Sequence, residues 1–276
     1  MLEIVGGLLA LAFGAGFIGA LSGLGGGVFI IPGLVIIAKM PMEVAVGASL
    51  ISVVATSAGA SVAFVRDGWT NLKVAMVLEC ATVTGAVTGA YLAGIVAAPV
   101  LEGLFALMMF QAAYFSLRRI KEEVVEVGDR LSRRLDLRGE IPDPMSGGMA
   151  HYEAVNVPGG AAVMLVAGLM SGLVGVGAGA LKVTAMDYIM KIPLKVSSAT
   201  SNFMIGVTAG AGALVFLSRG AIPTTVAAPV ALGVTVGALA GSRVLPHANV
   251  TLLRRVFIVI LLLIAVEMGW RALSGL

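Results

Sequence analysis

Glycine stands at alternate positions in two short stretches, Gly23-Leu24-Gly25-Gly26-Gly27 and Gly175-Val176-Gly177-Ala178-Gly179, each between two apolar segments. Such backbone breaks a helix. A break inside hydrocarbon is tolerated only where the freed N–H and C=O groups face protein or line a polar cavity. A helix that restarts after the break offers N–H donors and the positive end of its dipole, chemistry suited to an anion. Close helix packing is the competing use of glycine, and it fits Gly85/Gly89 and Gly237/Gly241, which are spaced by four. The two clusters place glycine every second residue, which packing does not ask for. Gly23, Gly25, Gly26, Gly27, Gly175, Gly177 and Gly179 are therefore assigned to a substrate site.

Side chains able to complete that site follow each cluster. Ser49 and Thr56 lie in the apolar stretch after the first, and Thr200, Ser201 and Asn202 in the stretch after the second. Hydroxyls and an amide donate to oxyanion oxygens without adding charge. Back-bonding to their own helix is the plainer role for such residues. Three ionisable residues also fall within apolar sequence: Lys182, just after Gly179, then Asp187, and Glu79. Ionisable groups at membrane depth are functional candidates by default. Lys182 is expected to pair with an anion, against the alternative of snorkelling to an interface. Glu79 is expected to carry a proton or to answer the charge of Lys182, and Asp187 to sit near the cytoplasmic surface. The single Cys80, with His151 and His247 outside the apolar segments, supplies no metal cluster and no Ser–His pair. No nucleotide motif is present. The expectation is a non-enzyme without cofactors.

The elements that position these residues are membrane spans. Charged residues make up 12% of the 276 residues, about half the share in a soluble domain. Mean hydropathy is +1.03, and apolar runs recur along the whole chain. This is an all-α polytopic membrane protein, whose first partner is the lipid bilayer. The N-terminus lacks a basic n-region and is taken as a first membrane helix rather than a signal peptide. The net charge of +3 resides in loops, where it sets orientation and gives no reason to invoke nucleic acid.

Five segments are expected in the first half, at 4–22, 28–38, 43–65, 70–95 and 99–118. Five more follow at 157–174, 180–190, 196–217, 222–245 and 251–273. The segments at 28–38 and 180–190 are short for a span. A shift of 152 positions superimposes the halves without a gap, matching Gly23/Gly175, Gly27/Gly179, Lys39/Lys191, Pro41/Pro193, Ser49/Ser201, Thr56/Thr208, Gly68/Gly220 and Gly85/Gly237 among others. The chain thus divides into a first membrane repeat (1–118), a charged linker (119–156) and a second membrane repeat (157–276). An odd number of segments per half gives the halves opposite membrane senses. Lys and Arg gather on the side of the linker, so the linker is expected in the cytoplasm and both termini outside. The linker, from Arg118 through Arg138 to Pro144, alternates charges at helical spacing and is expected to form a surface helix.

The stretch Gly19-Ala20-Leu21-Ser22-Gly23-Leu24-Gly25-Gly26-Gly27-Val28-Phe29-Ile30-Ile31-Pro32 resembles the first signature of the TauE/SafE sulfite exporter family. Gly175 through Lys182-Val183 to Pro193, then Ala199-Thr200-Ser201-Asn202-Phe203, is similar to the signature of that family's second repeat. Ala178 and Thr184 depart from the first-repeat pattern, where Gly26 and Pro32 stand. The resemblance implies a secondary transporter of sulfite, sulfonates or related organic anions in a prokaryotic plasma membrane. Proton coupling would run through Glu79, and homo-oligomerisation is compatible with the sequence. Two rival readings are a drug/metabolite-type transporter of five-plus-five inverted repeats, in which the short segments would be full spans, and an anion channel.

Overall fold

The computed structural model describes residues 2–22, 26–117, 128–142, 149–244 and 250–275. Helix α1 (Leu2–Ser22) ends at the first glycine cluster, and α2 (Gly27–Pro32) restarts after it. Helix α2 runs directly into a π-helical segment, Gly33–Ile37, closed by the Ala38 N–H donating to Gly33 O. Three long helices follow, α3 (Met42–Arg66), α4 (Leu72–Ala93) and α5 (Ala98–Leu117). After the linker, with its short helix α6 (Arg130–Arg134) and strands β1 (Arg138–Pro142) and β2 (Met149–Glu153), the order repeats. It runs α7 (Val157–Val174), α8 (Gly179–Thr184), a second π-helical segment (Ala185–Ile189), α9 (Leu194–Ser218), α10 (Thr224–Val244) and α11 (Val250–Ser274). Among the described residues, seven helices are long and apolar enough to cross a membrane. The stretches Gly27–Ile37 and Gly179–Ile189 fall well short of the roughly 20 residues a span needs.

Local chemistry sets the boundaries. Asn71 caps α4 by accepting from the Val74 N–H at 3.1 Å, and Asn156 caps α7 by accepting from the Gly159 N–H at 3.3 Å. The left-handed turn positions recur as pairs: Lys39 and Lys191 at φ 51° and 55°, Gly68 and Gly220 at 75° and 67°. Each pair is separated by the same 152 positions that relate the glycine clusters.

The two halves interlock. Helix α1 packs on α10 and α4 packs on α7. A Cβ added at Gly85 or Gly89 would strike the carbonyl oxygen of Leu165 or Leu169. At Gly237 or Gly241 it would strike that of Phe13 or Phe17. These are the close approaches expected of GxxxG spacing. The other contacts pair equivalent helices, α3 with α9 and α5 with α11. Along α3 and α9, Leu50 meets Gly212, Val54 meets Gly210 and Ser57 meets Gly206, so these two helices run antiparallel. Gly103 against Ala272 and Ala106 against Gly269 give the same sense for α5 and α11.

The expectation of a surface helix through the linker is corrected. Residues 118–127 lie outside the described residues, α6 is a single short turn, and the rest is an antiparallel hairpin pairing Gly139 with Tyr152. The hairpin docks because Leu137, Tyr152 and Ala154 bury against Val74, Leu78, Met186 and Met190. The Asn71 amide fastens it, donating to Arg138 O at 3.2 Å and Tyr152 Oη at 2.9 Å, while the Val155 N–H donates to Met190 O at 3.0 Å. Lys73 hydrogen-bonds Asp136, which also pairs with Arg138 Nε at 2.5 Å.

Two outcomes are expected. Gly85→Ala should push α4 from α7 and cost about 1–3 kcal/mol, whereas Gly59→Ala, which meets nothing within 4 Å, should be neutral or mildly stabilising; thermal unfolding in detergent compares them. The Lys73 hydrogen bond and the two cations hold the Asp136 carboxyl below the ordinary carboxylate range. Its contribution to docking is therefore complete above that range and is lost as pH falls through the lowered value. Amide exchange at Leu137 and Ala154 should accelerate there, and Asp136→Asn should remove the pH dependence.

Candidate functional site

The two glycine breaks meet at α3. Ser49 Oγ lies 3.1 Å from Gly27 O and 2.8 Å from Gly175 O, so one hydroxyl has a carbonyl from each cluster within reach. Ser201 stands at the equivalent place on α9 and donates to Gly179 O at 3.3 Å. The pair Ser49–Gly27 is thus reproduced as Ser201–Gly179. One turn further along each helix, Val53 and Ile205 occupy the space that a Cβ would take. Val53 fills it at Gly27, and Ile205 fills it at 2.8 Å from a Cβ on Gly177 and 2.6 Å from one on Gly179. The room opened by these glycines is filled by Val53 and Ile205 in this conformation. The backbones differ between the copies. Gly175 and Gly177 have φ of 79° and 78° and Ala178 has 50°, while Gly26, the counterpart of Ala178, is right-handed at φ −68°. Gly23 and Gly25 lie outside the described residues.

The charged part of the site is built by three helices. Lys182 starts one turn into α8 and is fully buried. Its Nζ donates to Thr208 Oγ1 at 2.5 Å. The Thr208 hydroxyl lies 2.6 Å from Glu79 Oε1 on α4 and 2.7 Å from Met204 O on its own helix. Thr208 has one proton and two acceptors, so it can serve the carboxylate or the carbonyl, not both. Glu79 Oε2 is buried with no donor among the described residues. Burying a charge without compensation is costly, and Lys182 and Glu79 compensate one another through Thr208. The equivalent positions in the other half hold Ile30, Thr56 and Ala231. The backbone frame is duplicated and the charge is not.

The remaining predicted residues fall into place around this frame. Thr56 bonds back to Ser52 O at 3.1 Å, within its own helix. Thr200 is fully buried and accepts the Asn71 N–H at 3.0 Å, tying α9 to the start of α4. Asn202 Nδ2 donates to Ser198 O at 3.0 Å, and its own carbonyl accepts from Ser57 Oγ at 2.5 Å. Thr200 thus ties α9 to α4 and the Asn202 backbone carbonyl ties α9 to α3, while the Asn202 side chain bonds back within α9. Asp187, expected near a surface, is only 8% exposed in the π-helical segment after α8. Val53, Ile205 and Thr208 were not singled out by sequence, although Val53 and Ile205 are also 152 positions apart.

The family profile described as sulfite exporter TauE/SafE matches residues 8–268. The chain belongs to the TauE/SafE family. The probable membrane transporter protein YunE of Bacillus subtilis (strain 168) is 24% identical over 220 residues, covering 77% of this chain and 78% of YunE. YdhB of the same organism, also named a probable membrane transporter protein, is 24% identical over 230 residues, 83% of each chain. ORF9 of Sinorhizobium sp, a third protein so named, is 34% identical over 112 residues, covering 40% of this chain and 42% of its own. No solved structure matches. The second glycine break lies between α7 and α8, Lys182 on α8 and Ser201 on the adjoining α9. The function of this TauE/SafE protein is membrane transport, and its two short segments are not the full spans that a drug/metabolite-type fold would show.

Removing the Ser49 hydroxyl should cost about 1–3 kcal/mol, because it breaks a buried link from α3 to carbonyls of both clusters. Thr56→Ala, which gives up only back-bonding, should cost less than about 1 kcal/mol. Thermal unfolding of the two variants in the same detergent checks the difference.

Proposed function

We propose that this chain is a secondary transporter for a small sulfur-containing anion, sulfite, a sulfonate or a close relative, across a prokaryotic plasma membrane. The observation that carries the reading is the buried ammonium of Lys182 beside the break at Gly175–Gly179. A buried cation held at the junction of interlocked halves gives a small anion a partner, and hydroxyls and backbone groups nearby give orientation. The antiparallel pairing of α3 with α9 and of α5 with α11 supports an inverted-repeat reading. In that reading the termini face outward, the linker and its hairpin face the cytoplasm, and access alternates by motion of one interlocked bundle against the other. Val53 and Ile205, seated in the glycine breaks, are the apolar gate that must withdraw to admit the anion. Glu79 is the place where a coupling ion acts.

Purified protein in proteoliposomes should show saturable counterflow of labelled sulfite or methanesulfonate. Lys182→Met should lower it by about tenfold or more while the variant still elutes as a folded species. Absence of counterflow for both anions rejects the substrate class; flux that fails to saturate and follows voltage alone assigns a channel instead.

A further inference from the structure

We propose that this chain moves one proton with each monovalent anion, by exchanging Glu79 for the anion as the counter-charge of Lys182, and that Thr208 is the positioning residue that makes the exchange obligatory. This rests on the transport reading above and specifies its coupling.

The reasoning begins with a count of charges. With Glu79 ionised, Lys182 and Glu79 form a neutral set joined through Thr208, with 2.5 Å from Nζ to Oγ1 and 2.6 Å from Oγ1 to Oε1. An anion arriving at Lys182 makes that set negative by one charge, in a place where uncompensated charge is expensive. A proton taken by Glu79 restores neutrality. The loaded set is then ammonium, anion and neutral carboxylic acid; the unloaded set is ammonium and carboxylate. One anion and one proton enter together and leave together, and the set that crosses is electrically neutral in both forms.

Thr208 supplies the linkage. Its single proton has two acceptors in reach, Glu79 Oε1 at 2.6 Å and Met204 O at 2.7 Å. A carboxylate is the stronger acceptor, so Thr208 donates to Glu79 while that group is charged. Protonated Glu79 loses that advantage, and the Thr208 O–H, keeping its proton, turns to donate to the Met204 carbonyl. The hydroxyl that connected ammonium to carboxylate then no longer serves Glu79, and Lys182 is left with an unanswered charge that the anion fills. Glu79 Oε2, buried and without a donor among the described residues, is the oxygen open to the incoming proton.

The Thr82 hydroxyl, three residues along α4, also acts on the Glu79 carboxylate, and charged neighbours are few. The charge acting on Glu79 is that of Lys182. Helix α7, packed on α4, has no ionisable residue, and α9 carries only Lys195, at its first turn. Asp187 follows Lys182 in the π-helical segment, and Lys73, near the start of α4, is engaged by Asp136. The counterpart set in the other half, Ile30, Thr56 and Ala231, has no charge to exchange. One coupling site per chain follows.

Methanesulfonate is the probe, because it stays monoanionic over the working pH range and any pH dependence belongs to the protein. In wild-type proteoliposomes with the membrane potential clamped, an acidic exterior should drive uptake above equilibrium. Changing the potential at fixed pH should leave the initial rate unaltered. A pH dye in the lumen should report about one proton per methanesulfonate. Glu79→Gln should flatten the pH profile of counterflow and abolish gradient-driven accumulation. Thr208→Val should lower gradient-driven uptake by about tenfold, and Thr208→Ser, which keeps the hydroxyl, should restore it. Wild-type counterflow with no response to the proton gradient, or a rate that follows voltage, overturns the coupling and leaves the transport reading standing. Absence of any wild-type counterflow overturns both. The wild-type measurements decide the matter if Glu79→Gln does not fold.

Discussion

An ammonium with no exposed surface must be answered from within the protein, and the answer given to Lys182 organises this molecule. Its partners arrive from two helices distant in sequence, Thr208 on α9 and Glu79 on α4. Glu79 belongs to the first half of the chain, and Lys182 and Thr208 to the second. Compensation of the buried charge therefore requires that the halves interlock, with α4 lying against both α7 and α9. That approach is possible because Gly85, Gly89, Gly168 and Gly172 let backbones touch where any side chain would strike a carbonyl. Small residues and buried charge depend on one another: without the glycines the pair would be held apart, and without the pair the glycines would bring a bare ammonium into an apolar interior.

Much of this frame was legible in the sequence, because a duplication repeats its errors as well as its rules. Lys39 and Lys191 share a left-handed turn, and Ser49 and Ser201 share a bond to the residue 22 positions before them. One register therefore located the helices, the breaks and the short segments together. The hairpin at 138–153 escaped because it has no counterpart in the other half. Its apolar residues are also too few to mark strands: Leu137, Tyr152 and Ala154 bury against α4 and the second π-helical segment instead of against a core of their own. Thr208 escaped for a different reason. Its mate Thr56 back-bonds like most membrane threonines, and only the three-dimensional placement of Lys182 and Glu79 turns the same residue type into a connector. Hydroxyls such as Thr200, which tie helices together, look the same in sequence as hydroxyls that could face a ligand.

Where the duplication fails is as informative as where it holds. The clusters share their serine tethers but not their backbone, since Ala178 is left-handed and its counterpart Gly26 is right-handed. For a residue with a Cβ the left-handed form costs about 1–2 kcal/mol, whereas glycine takes either form at little cost. On the proposed alternating-access reading, a perfectly symmetric pair of halves would exchange roles between two states of equal energy. An alanine in the strained form at 178, where the first cluster has a right-handed glycine at 26, makes those states unequal. The charge pair adds to the same bias, because Lys182 and Glu79 are matched at the equivalent positions by the uncharged Ile30 and Ala231. Strain and charge are thus gathered in the second cluster, where release of the first is available to offset rearrangement of the second.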